Sequence, residues 1–403
     1  MIAKPLADSQ HKLQNEQIKV LFLPKWYPNK MDPFDGNFVE NHAHAISRMA
    51  KVCVLFVHSD ESLKQDYFIE EQRNEKLLEV RCYFKKPKGP LSFFNKILTA
   101  VRYFKAQQKA YRYIQEKYKV NFNLSHIHVL SRTAPFAIWL KHKKKLPFGI
   151  TEHWSGYLDE SKEYRGFLKK IFTKKAVAKA SFVTTVSPYL RDAMQKHNLY
   201  NNYYLIPNVV DCEVFKPIEK TARKKVKVLF VGNLLQSPKR ILDIIEVFGR
   251  IKEKRKDFIL DIYGEGRDEK ACREKIKELD LEEFVQLKGT RSREEIAEIM
   301  AKSDFLFLYS EFENQPCVIN EAQACGLPVV VPDIPGIKAF MQDELGLMFP
   351  RLNEFTFEAS ILQMMDNFNR YNSNNIRNYA LRNFSEDVIA NQFYELYLKS
   401  IKT

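Results

Sequence analysis

The segment from Ser310 to Val329 contains the residues best suited to chemistry in this sequence. Glu313 follows the apolar stretch 305–309, and Glu321 stands eight positions later, followed by Ala-Gln-Ala-Cys-Gly. A helix that starts after a strand presents free amides and the positive end of its dipole, which suit a diphosphate. Carboxylates beside it can accept hydrogen bonds from sugar hydroxyls. The segment therefore favours a nucleotide-sugar site over the alternative, in which both glutamates are ordinary solvated helix residues.

A histidine at another strand end is a further candidate. His153 follows the apolar stretch Phe148–Thr151, and Gly156 lies just beyond it. A neutral imidazole at such a position can hydrogen-bond a sugar. Single histidines are more often structural, and we interpret His126 and His128 in that way. The place of His153 at the C-terminal end of a strand favours a functional role.

The patterns typical of two other chemistries are missing. The sequence contains no Asp-x-Asp motif and no Cys-x-x-Cys pair, and no other spacing suggests a metal site. Gly264-Glu-Gly266 is followed by Arg-Asp-Glu and so fails the G-x-G-x-x-G fingerprint of dinucleotide binding. We therefore expect no metal and no cofactor, and a dehydrogenase is disfavoured.

Two series of short apolar runs alternate with helical stretches and would position these residues. Nearly continuous apolar runs imply strands that are buried on both faces of a parallel sheet. We predict two doubly wound α/β domains, 1–217 and 218–384, whose strand ends face a central cleft that holds the active site. A last helix within 385–403 should start after Ser385 and pack back toward the N-terminal domain. The predicted strands are 18–23, 52–57, 127–130, 148–151, 182–185 and 204–206, then 228–231, 259–263, 285–287, 305–309 and 329–331.

The charge is distributed unevenly along the chain. Residues 1–215 contain 35 Lys or Arg and 20 Asp or Glu, a net charge of +15, whereas the rest, with 29 and 30, carries −1. The asymmetry predicts an anionic partner for the first domain. No apolar run approaches the roughly 18 residues that span a bilayer, the N-terminal stretch is polar, and the six cysteines are scattered. We expect a cytoplasmic protein without a signal peptide.

The stretch Lys85–Lys119 contains ten cations, the single acid Glu116, and seven aromatic residues. Basic and aromatic side chains interleaved on a helix suit an anionic membrane surface, with the rings at headgroup level. A solvated basic face with the aromatics in the core is an equal alternative. Nucleic acid is disfavoured because no nucleic-acid module is recognisable. The aromatic residues are Phe93, Phe94, Tyr103, Phe104, Tyr111, Tyr113 and Tyr118.

The segment around Glu313 resembles the signature of the retaining glycosyltransferases of family 4, also called group 1 glycosyltransferases, which have the GT-B fold. That signature runs Ser-x-x-Glu-Gly-Phe-Gly, with a second Glu eight positions after the first and then a Gly-x-Pro-Val. Here Asn314, Gln315 and Pro316 replace Gly-Phe-Gly. The residues that match in register are Ser310, Glu313, Glu321, Ala322, Gly326, Pro328 and Val329.

The resemblance extends over about residues 18–397 and implies roles for further residues. It makes Glu313 a contact of the transferring sugar, Glu321 a partner of the ribose hydroxyls, and His153 the active-site histidine. Lys239 matches the family's phosphate-binding lysine, a compact charge that neutralises a diphosphate without a metal. The implied donor-binding set is Gly36, Asn37, Asn233, Lys239, Asn314, Gln315, Pro316 and Glu321, with Asn233 standing where the family has an arginine.

The resemblance thus implies a GT-B enzyme that moves a sugar from a nucleotide-sugar donor, with retention, onto a glycan or lipid-linked glycan. Surface polysaccharide or glycolipid synthesis is the expected setting, with the enzyme peripheral on the inner face of the membrane. The N-terminal domain would take the acceptor and the C-terminal domain the donor. Glu313, His153 and Lys239 are the expected catalytic residues. A hydrolysing or epimerising GT-B enzyme and a catalytically silent sugar-nucleotide-binding protein are the alternatives.

Overall fold

The computed structural model describes residues 17–87, 92–219 and 223–402, of which residues 92–94 are described for their backbone alone. Two compact units divide the chain. The first contains the described residues up to Val186, then Leu190–Ile206, and the C-terminal residues from Ile389 onward. The second contains Ser187–Tyr189 and Pro207–Val388. Each unit is an α/β layer structure around one sheet, which confirms the predicted fold class.

The first unit contains an eight-stranded sheet in the order β3-β4-β2-β1-β5-β6-β7-β8. All neighbouring pairs are parallel except β3 with β4, which is antiparallel. The strands are β1 Lys19–Pro24, β2 Lys51–Ser59, β3 Tyr67–Arg73, β4 Leu77–Phe84, β5 Leu124–His128, β6 Phe148–Glu152, β7 Phe182–Thr185 and β8 Tyr203–Leu205.

The sequence analysis missed β3, which is polar and largely exposed, and β4, which contains two buried charges. Strand β4 is buried along most of its length, but it carries Glu79 and Arg81 inside the sheet, where the two side chains pair at 3.1 Å. Arg81 also donates to the Pro28 carbonyl at 2.8 Å, and the Tyr27 hydroxyl donates to Glu79 at 2.6 Å. Charges that are satisfied in this way are tolerated in a core, yet they interrupt the apolar run that marks a buried strand.

The second unit contains a six-stranded sheet in the order β11-β10-β9-β12-β13-β14, in which every pair is parallel. The sequence analysis identified five of these strands and missed the short edge strand β14. The bounds are β9 Val226–Val231, β10 Phe258–Tyr263, β11 Val285–Gly289, β12 Phe305–Phe307, β13 Val329–Asp333 and β14 Gly346–Pro350.

Helices cover the sheets and connect the parallel strands, because each parallel connection must cross over a sheet face. In the first unit they include α1 Asn37–Ser47, α2 Ser92–Tyr118, α3 Ala134–Lys144, α4 Phe167–Lys179 and α5 Pro188–Lys196. In the second they are α6 Ile241–Lys254, α7 Glu269–Glu278, α8 Arg293–Lys302, α9 Cys317–Ala324, α10 Pro335–Lys338, α11 Glu354–Asn367 and α12 Ser373–Phe384. The last helix, α13 Glu386–Ile401, starts directly after Ser385. Across the described part of the chain, no helix combines the length and apolarity that a membrane crossing requires.

Candidate active site

Two loops at one edge of the second sheet bring Lys239 and Glu313 together. Strands β9 and β12 are parallel neighbours, so the loops that follow them emerge at the same edge. Lys239 and Glu313 form an ion pair, with side chains 16% and 15% exposed. The loops are also joined by the Glu311 N–H, which donates to the Pro238 carbonyl at 2.8 Å, and by the Ser237 hydroxyl, which donates to Glu311 at 2.8 Å. The predicted cation and carboxylate therefore occupy one rigidly tied pair of loops.

Arg240 and Asn233, both near Lys239, face different surroundings. Arg240 pairs with Asp243 and lies 3.5 Å from a carboxylate oxygen of Glu311. Its charge is therefore already matched by two acids. Asn233, at the position where the family has an arginine, is exposed. Lys239 is consequently the cation of this loop that lies next to Glu313.

The N-terminus of α9 follows Glu313 by four residues. The helix begins at Cys317 after Pro316, and its first turn carries no acidic residue. Its first amides lack acceptors within the helix and add the positive end of the helix dipole. Asn314 is buried just before this terminus. The positive end of the α9 dipole therefore lies close in the chain to Glu313.

The side chain of Gln315 is buried and bonded to the protein, so it is not open to a ligand. It is buried, and its Oε1 accepts a hydrogen bond from the Asn208 backbone N–H at 2.6 Å. The Asn208 side-chain amide donates to the Gln315 carbonyl at 3.0 Å. The side chain of Gln315 thus holds the segment around Asn208 against the start of α9. A contribution of Gln315 to donor binding would come from its backbone.

Glu321 lies one turn into α9 and is half-buried. Burial raises the pKa of its carboxyl to about 7, although the positive charge of Arg293 opposes the shift. Arg293 itself lies 3.6 Å from a carboxylate oxygen of Asp211. The predicted ribose-binding carboxylate therefore changes its charge near neutral pH.

Gly336 is a residue that the sequence analysis missed. A Cβ atom at this position would lie 1.9 Å from the Glu313 carbonyl oxygen and 2.5 Å from that of Asn314. Only glycine allows α10 to approach the loop so closely. The Pro335-Gly336 dipeptide after β13 was the available signal in the sequence.

Gly36 and Asn37 lie in the first unit, where α1 begins. Gly36 has φ +66°, and a Cβ atom there would lie 2.4 Å from the backbone carbon of Trp26. The loop after β1 therefore packs directly against Gly36, which requires a glycine. Asn37 is the first residue of α1 and is exposed. Burial, together with the charge of Asp32, raises the pKa of the neighbouring Asp35 to about 6.

His153 belongs to a cluster of four histidines in the first unit. It follows β6, and its Nε2 lies 3.4 Å from Nδ1 of His128, with the two rings stacked. His42 of α1 meets His153 edge to face at 5.3 Å between ring centroids. His126 completes the cluster, with its nitrogens 2.7 Å from the Tyr397 hydroxyl and 2.7 Å from Thr151 Oγ1. The predicted sugar-binding histidine, His153, thus packs against the rings of the other histidines in the cluster.

Burial holds the pKa values of His126 and His128 well below the ordinary value, so both rings are neutral at pH 7. The structural role that the sequence analysis assigned to these two rings agrees with their complete burial. They nevertheless contact one another and, through His128, the candidate His153. The sequence spacing did not predict this cluster, because its histidines come from α1, β5 and the end of β6, which are far apart in the chain.

Glu152 and Lys25 form a second titratable group beside His153 that the sequence analysis missed. Glu152 is buried and accepts backbone N–H bonds from Leu130 at 3.0 Å and from His153 and Trp154 at 2.9 Å. Burial raises the pKa of Glu152, against the positive charge of Lys25. Burial likewise lowers the pKa of Lys25, whose ammonium lies 4.2 Å from the Trp26 ring centroid. The carboxylate of Glu152 fixes the backbone from which His153 projects.

Among the described residues, no group of three or more potential ligands could hold a metal ion.

Known family models match the sequences of both units. The model for glycosyl transferases group 1 matches residues 212–381, and the model for glycosyltransferase family 4 matches residues 36–214. The chain belongs to the group 1, or family 4, glycosyltransferases. This confirms the family resemblance that the signature around Glu313 predicted.

Curated relatives of this glycosyltransferase include archaeal, bacterial and yeast proteins. An uncharacterized glycosyltransferase of Methanocaldococcus jannaschii is 26% identical over 264 residues, which are 63% of this chain and 71% of the relative. A second relative is the Campylobacter jejuni N-acetylgalactosamine-N,N'-diacetylbacillosaminyl-diphospho-undecaprenol 4-alpha-N-acetylgalactosaminyltransferase. It is 32% identical over 166 residues, which are 40% of this chain and 44% of the relative.

Solved structures show the same GT-B glycosyltransferase fold. Sucrose-phosphate synthase from Thermosynechococcus elongatus has a TM-score of 0.73 at 17% identity, covering 95% of this chain and 99% of that protein. Anabaena HepE, solved in complex with UDP-glucose, has a TM-score of 0.64 at 16% identity, covering 94% of this chain and 99% of that protein.

Proposed function

We propose that this glycosyltransferase transfers a sugar from a nucleotide-sugar donor, with retention at the anomeric carbon, onto a glycan or lipid-linked glycan. The setting would be the synthesis of a surface polysaccharide or glycolipid on the inner face of a membrane. The observation that carries the proposal is the meeting of Lys239, Glu313 and the α9 N-terminus at one sheet edge. The UDP-glucose complex of HepE and the diphospho-undecaprenol acceptor in the Campylobacter enzyme's name support the two substrate classes.

Departure of a nucleoside diphosphate builds negative charge on the phosphate that leaves the sugar. Lys239 and the first amides of α9 are the groups that stabilise this charge in our proposal. Lys239 is held by Glu313 in the structure, so its ammonium is already desolvated and oriented before a donor binds. A preoriented charge needs no reorganisation when the bond breaks, which lowers the barrier. No metal is needed for this step.

Glu313 and His153 orient the transferring sugar in the proposal. Glu313 is mostly buried, and a carboxylate with little solvent around it forms strong hydrogen bonds to hydroxyls. His153 is fixed through its ring contacts with His128 and His42 and through the Glu152 bond to its N–H. Correct orientation of a bound reactant can remove several kcal/mol of the activation barrier.

Glu321 binds the ribose of the donor in the proposal. A carboxylate can accept hydrogen bonds from two adjacent hydroxyls, one with each oxygen. Burial makes Glu321 hold its proton up to about pH 7, and a hydroxyl pair that donates to it favours the ionised form. Donor binding and ionisation of Glu321 should therefore strengthen each other.

The decisive experiment measures nucleoside diphosphate release from a panel of nucleotide sugars with and without a lipid-linked glycan extract. A thermal-shift screen against UDP, GDP and ADP selects the nucleotide first. A transferase releases diphosphate in proportion to acceptor, and the anomeric configuration of the product, determined by NMR, tests retention. Equal release without acceptor would identify a hydrolase. Nucleotide binding without any release would identify a silent binding protein and contradict the proposal.

A further inference from the structure

A large cavity in the first unit lies outside the candidate active site described above. Its volume is about 1070 Å³. It is bounded by α2, by the start of α3, by α4 and by the chain that follows β4. Its apolar lining includes Pro87, Ala100, Tyr103, Phe104, Pro135 and Phe172, and its charged lining includes Glu61, Lys86, Lys96, Arg132 and Lys169.

The charged groups of this cavity favour an anion. Glu61 is the only acid among the described residues that line it, and its carboxylate lies 3.5 Å from the ammonium of Lys86. The remaining cations are Lys96, Arg132 and Lys169. Arg132 also precedes the N-terminus of α3, which adds the positive end of a helix dipole. A phosphate group would find both a guanidinium and an ammonium here.

Two buried hydroxyl groups beside the cavity have no hydrogen-bond partner among the residues that the structure describes. Tyr103 is 4% exposed, and its hydroxyl has no hydrogen-bond partner among the described protein atoms. The Arg132 guanidinium lies 5.4 Å from the centroid of the Tyr103 ring. Thr133, directly after Arg132, also has a buried hydroxyl without a partner and forms no cap to α3. Unpaired buried donors are costly, and they indicate a polar ligand or water that completes their bonding.

The same helices expose apolar side chains. Phe167 and Leu168 at the start of α4 are 78% and 68% exposed, and Phe172, which lines the cavity, is also exposed. Others in this group are Ile171 on α4 and Ile97, Leu98 and Val101 on α2. Exposed apolar side chains that recur along two helices around one cavity indicate an apolar partner.

The aromatic residues of α2, for which the sequence analysis weighed a membrane surface against the core, mostly contact other protein groups. Tyr103 and Tyr111 are buried, Phe104 packs edge to face on Phe136 at 5.9 Å, and Tyr113 donates to Glu71 at 2.9 Å. The exposed apolar surface of α2 is aliphatic instead. The predicted positions Phe93 and Phe94 lie outside the described side chains.

The cavity lies next to the residues that hold His153. The Lys169 ammonium is 4.6 Å from the centroid of the Trp154 ring, and the Lys25 ammonium is 5.0 Å from the same ring. Trp154 adjoins His153 in the chain. A ligand whose phosphate contacts Lys169 could therefore extend a sugar toward His153.

We propose that this cavity binds the phosphorylated end of a lipid-linked acceptor, with Arg132 and Lys169 on the phosphate and the hydrocarbon along α4 and α2. The inference rests on the proposed function, because it names the acceptor class of the same enzyme. It requires one molecule that is both anionic and apolar, which matches the basic lining and the exposed apolar side chains together.

Isothermal titration calorimetry of the full chain with farnesyl diphosphate tests this site. Farnesyl diphosphate should bind at least tenfold more tightly than inorganic pyrophosphate or farnesol. Arg132→Gln and Lys169→Gln should each weaken its binding about tenfold, since each removes a charge-assisted hydrogen bond. Phe172→Ser should weaken farnesyl diphosphate severalfold and leave pyrophosphate unchanged. Equal binding of the two diphosphates, or variants that bind like the wild type, would overturn the proposal.

Matched controls separate this site from the donor site and from a general membrane surface. Lys174→Gln on α4 and the highly exposed Phe355→Ser of α11 should bind farnesyl diphosphate like the wild type. Lys239→Gln should weaken UDP but not farnesyl diphosphate, so failure of the donor proposal is seen separately. Arg132→Gln should float with phosphatidylglycerol vesicles as the wild type does. Parallel loss of flotation would mean that the cavity binds bulk headgroups, which contradicts the proposal.

Discussion

The ammonium group of Lys239 and the carboxylate of Glu313 pair across 74 positions of the chain. Both side chains are largely shielded from water, so each group is the other's neutralising partner until a ligand arrives. A donor diphosphate that binds to Lys239 would compete with Glu313 and free its oxygens for the sugar. In the proposed mechanism, donor binding would therefore release the Glu313 carboxylate for hydrogen bonds to the sugar.

Removing the charge of Glu313 should affect turnover more than binding. Glu313→Gln keeps the shape of the side chain but loses the carboxylate, and we expect kcat to fall by about two to four orders of magnitude. Glu311→Gln, in the same loop, should change kcat only a few-fold. Steady-state kinetics with the identified donor provide the measurement. A fall in kcat of the same size in both variants would mean that the loop, and not the Glu313 carboxylate, matters.

Donor affinity should depend on pH through Glu321. Its folded pKa of about 7 means that the carboxylate is ionised only as the pH rises past neutrality. We therefore expect UDP to bind more tightly at pH 8 than at pH 6. Glu321→Gln should bind UDP weakly at both pH values, with kcat affected less than KM. An unchanged pH dependence in the variant would assign it to another group.

The same group should influence stability with the opposite sign. A carboxyl whose pKa is raised on folding contributes stability below its unfolded pKa near 4.5, and this contribution is lost as the pH rises through about 7. Relative to the wild type, Glu321→Gln should therefore gain stability between pH 4.5 and 8. The gain should be on the order of 3 kcal/mol, since the pKa rises from 4.5 to about 7 and one pKa unit corresponds to about 1.4 kcal/mol. Urea denaturation at several pH values measures it, and a constant difference would contradict the raised pKa.

A methyl group at Gly336 should disturb the loop that carries Glu313. In Gly336→Ala the new Cβ would meet the Glu313 carbonyl oxygen, and the loop or α10 must move. We expect a loss of about 1–3 kcal/mol of stability together with weaker UDP binding. Gly249→Ala is the control, because its Cβ would meet only the end of the Leu279 side chain at 3.2 Å, within helix α6. If both variants bind UDP like the wild type, the close approach of Gly336 does not shape the site.

Activity should persist without divalent metal ions. In the proposed mechanism, Lys239 and the α9 amides supply the positive charge that the leaving diphosphate requires. Turnover in the presence of EDTA should therefore stay close to the untreated rate. Loss of activity on chelation that is restored by magnesium or manganese would show that a metal stabilises the leaving group.

The basic face of α2 should attract the protein to anionic membranes. Lys105, Lys109 and Arg112 are exposed and lie outside the lining of the cavity. Each basic residue near an anionic surface contributes about 1 kcal/mol, which is screened within about 8 Å at physiological salt. Replacing all three by Glu should release the protein from phosphatidylglycerol vesicles in flotation assays while UDP binding is kept. Flotation that is equal for both proteins, or absent for the wild type at low salt, would argue for a solvated face.

The sequence by itself determined the fold class and the family. Parallel strands are buried on both faces, so runs such as Val52–Val57 are recognisable without tertiary information. The register of Ser310, Glu313 and Glu321 identified the family because it lies within one loop and one helix. Strand β4 escaped recognition because the buried pair of Glu79 and Arg81 breaks the apolar pattern, and the further partners of this pair, Tyr27 and the Pro28 carbonyl, are distant in sequence.

Only the tertiary structure decided which side chains meet. Lys239 and Glu313 pair because β9 and β12 are neighbours, and His42, His128 and His153 meet because β1, β5 and β6 are adjacent. Strand order arises from packing between segments far apart in sequence, and no local pattern encodes it. The same holds for the cavity beside Arg132, whose walls come from three helices separated along the chain. The local sequence thus identified candidate residues in each loop, whereas the order of the strands in the sheets determined which of these residues meet.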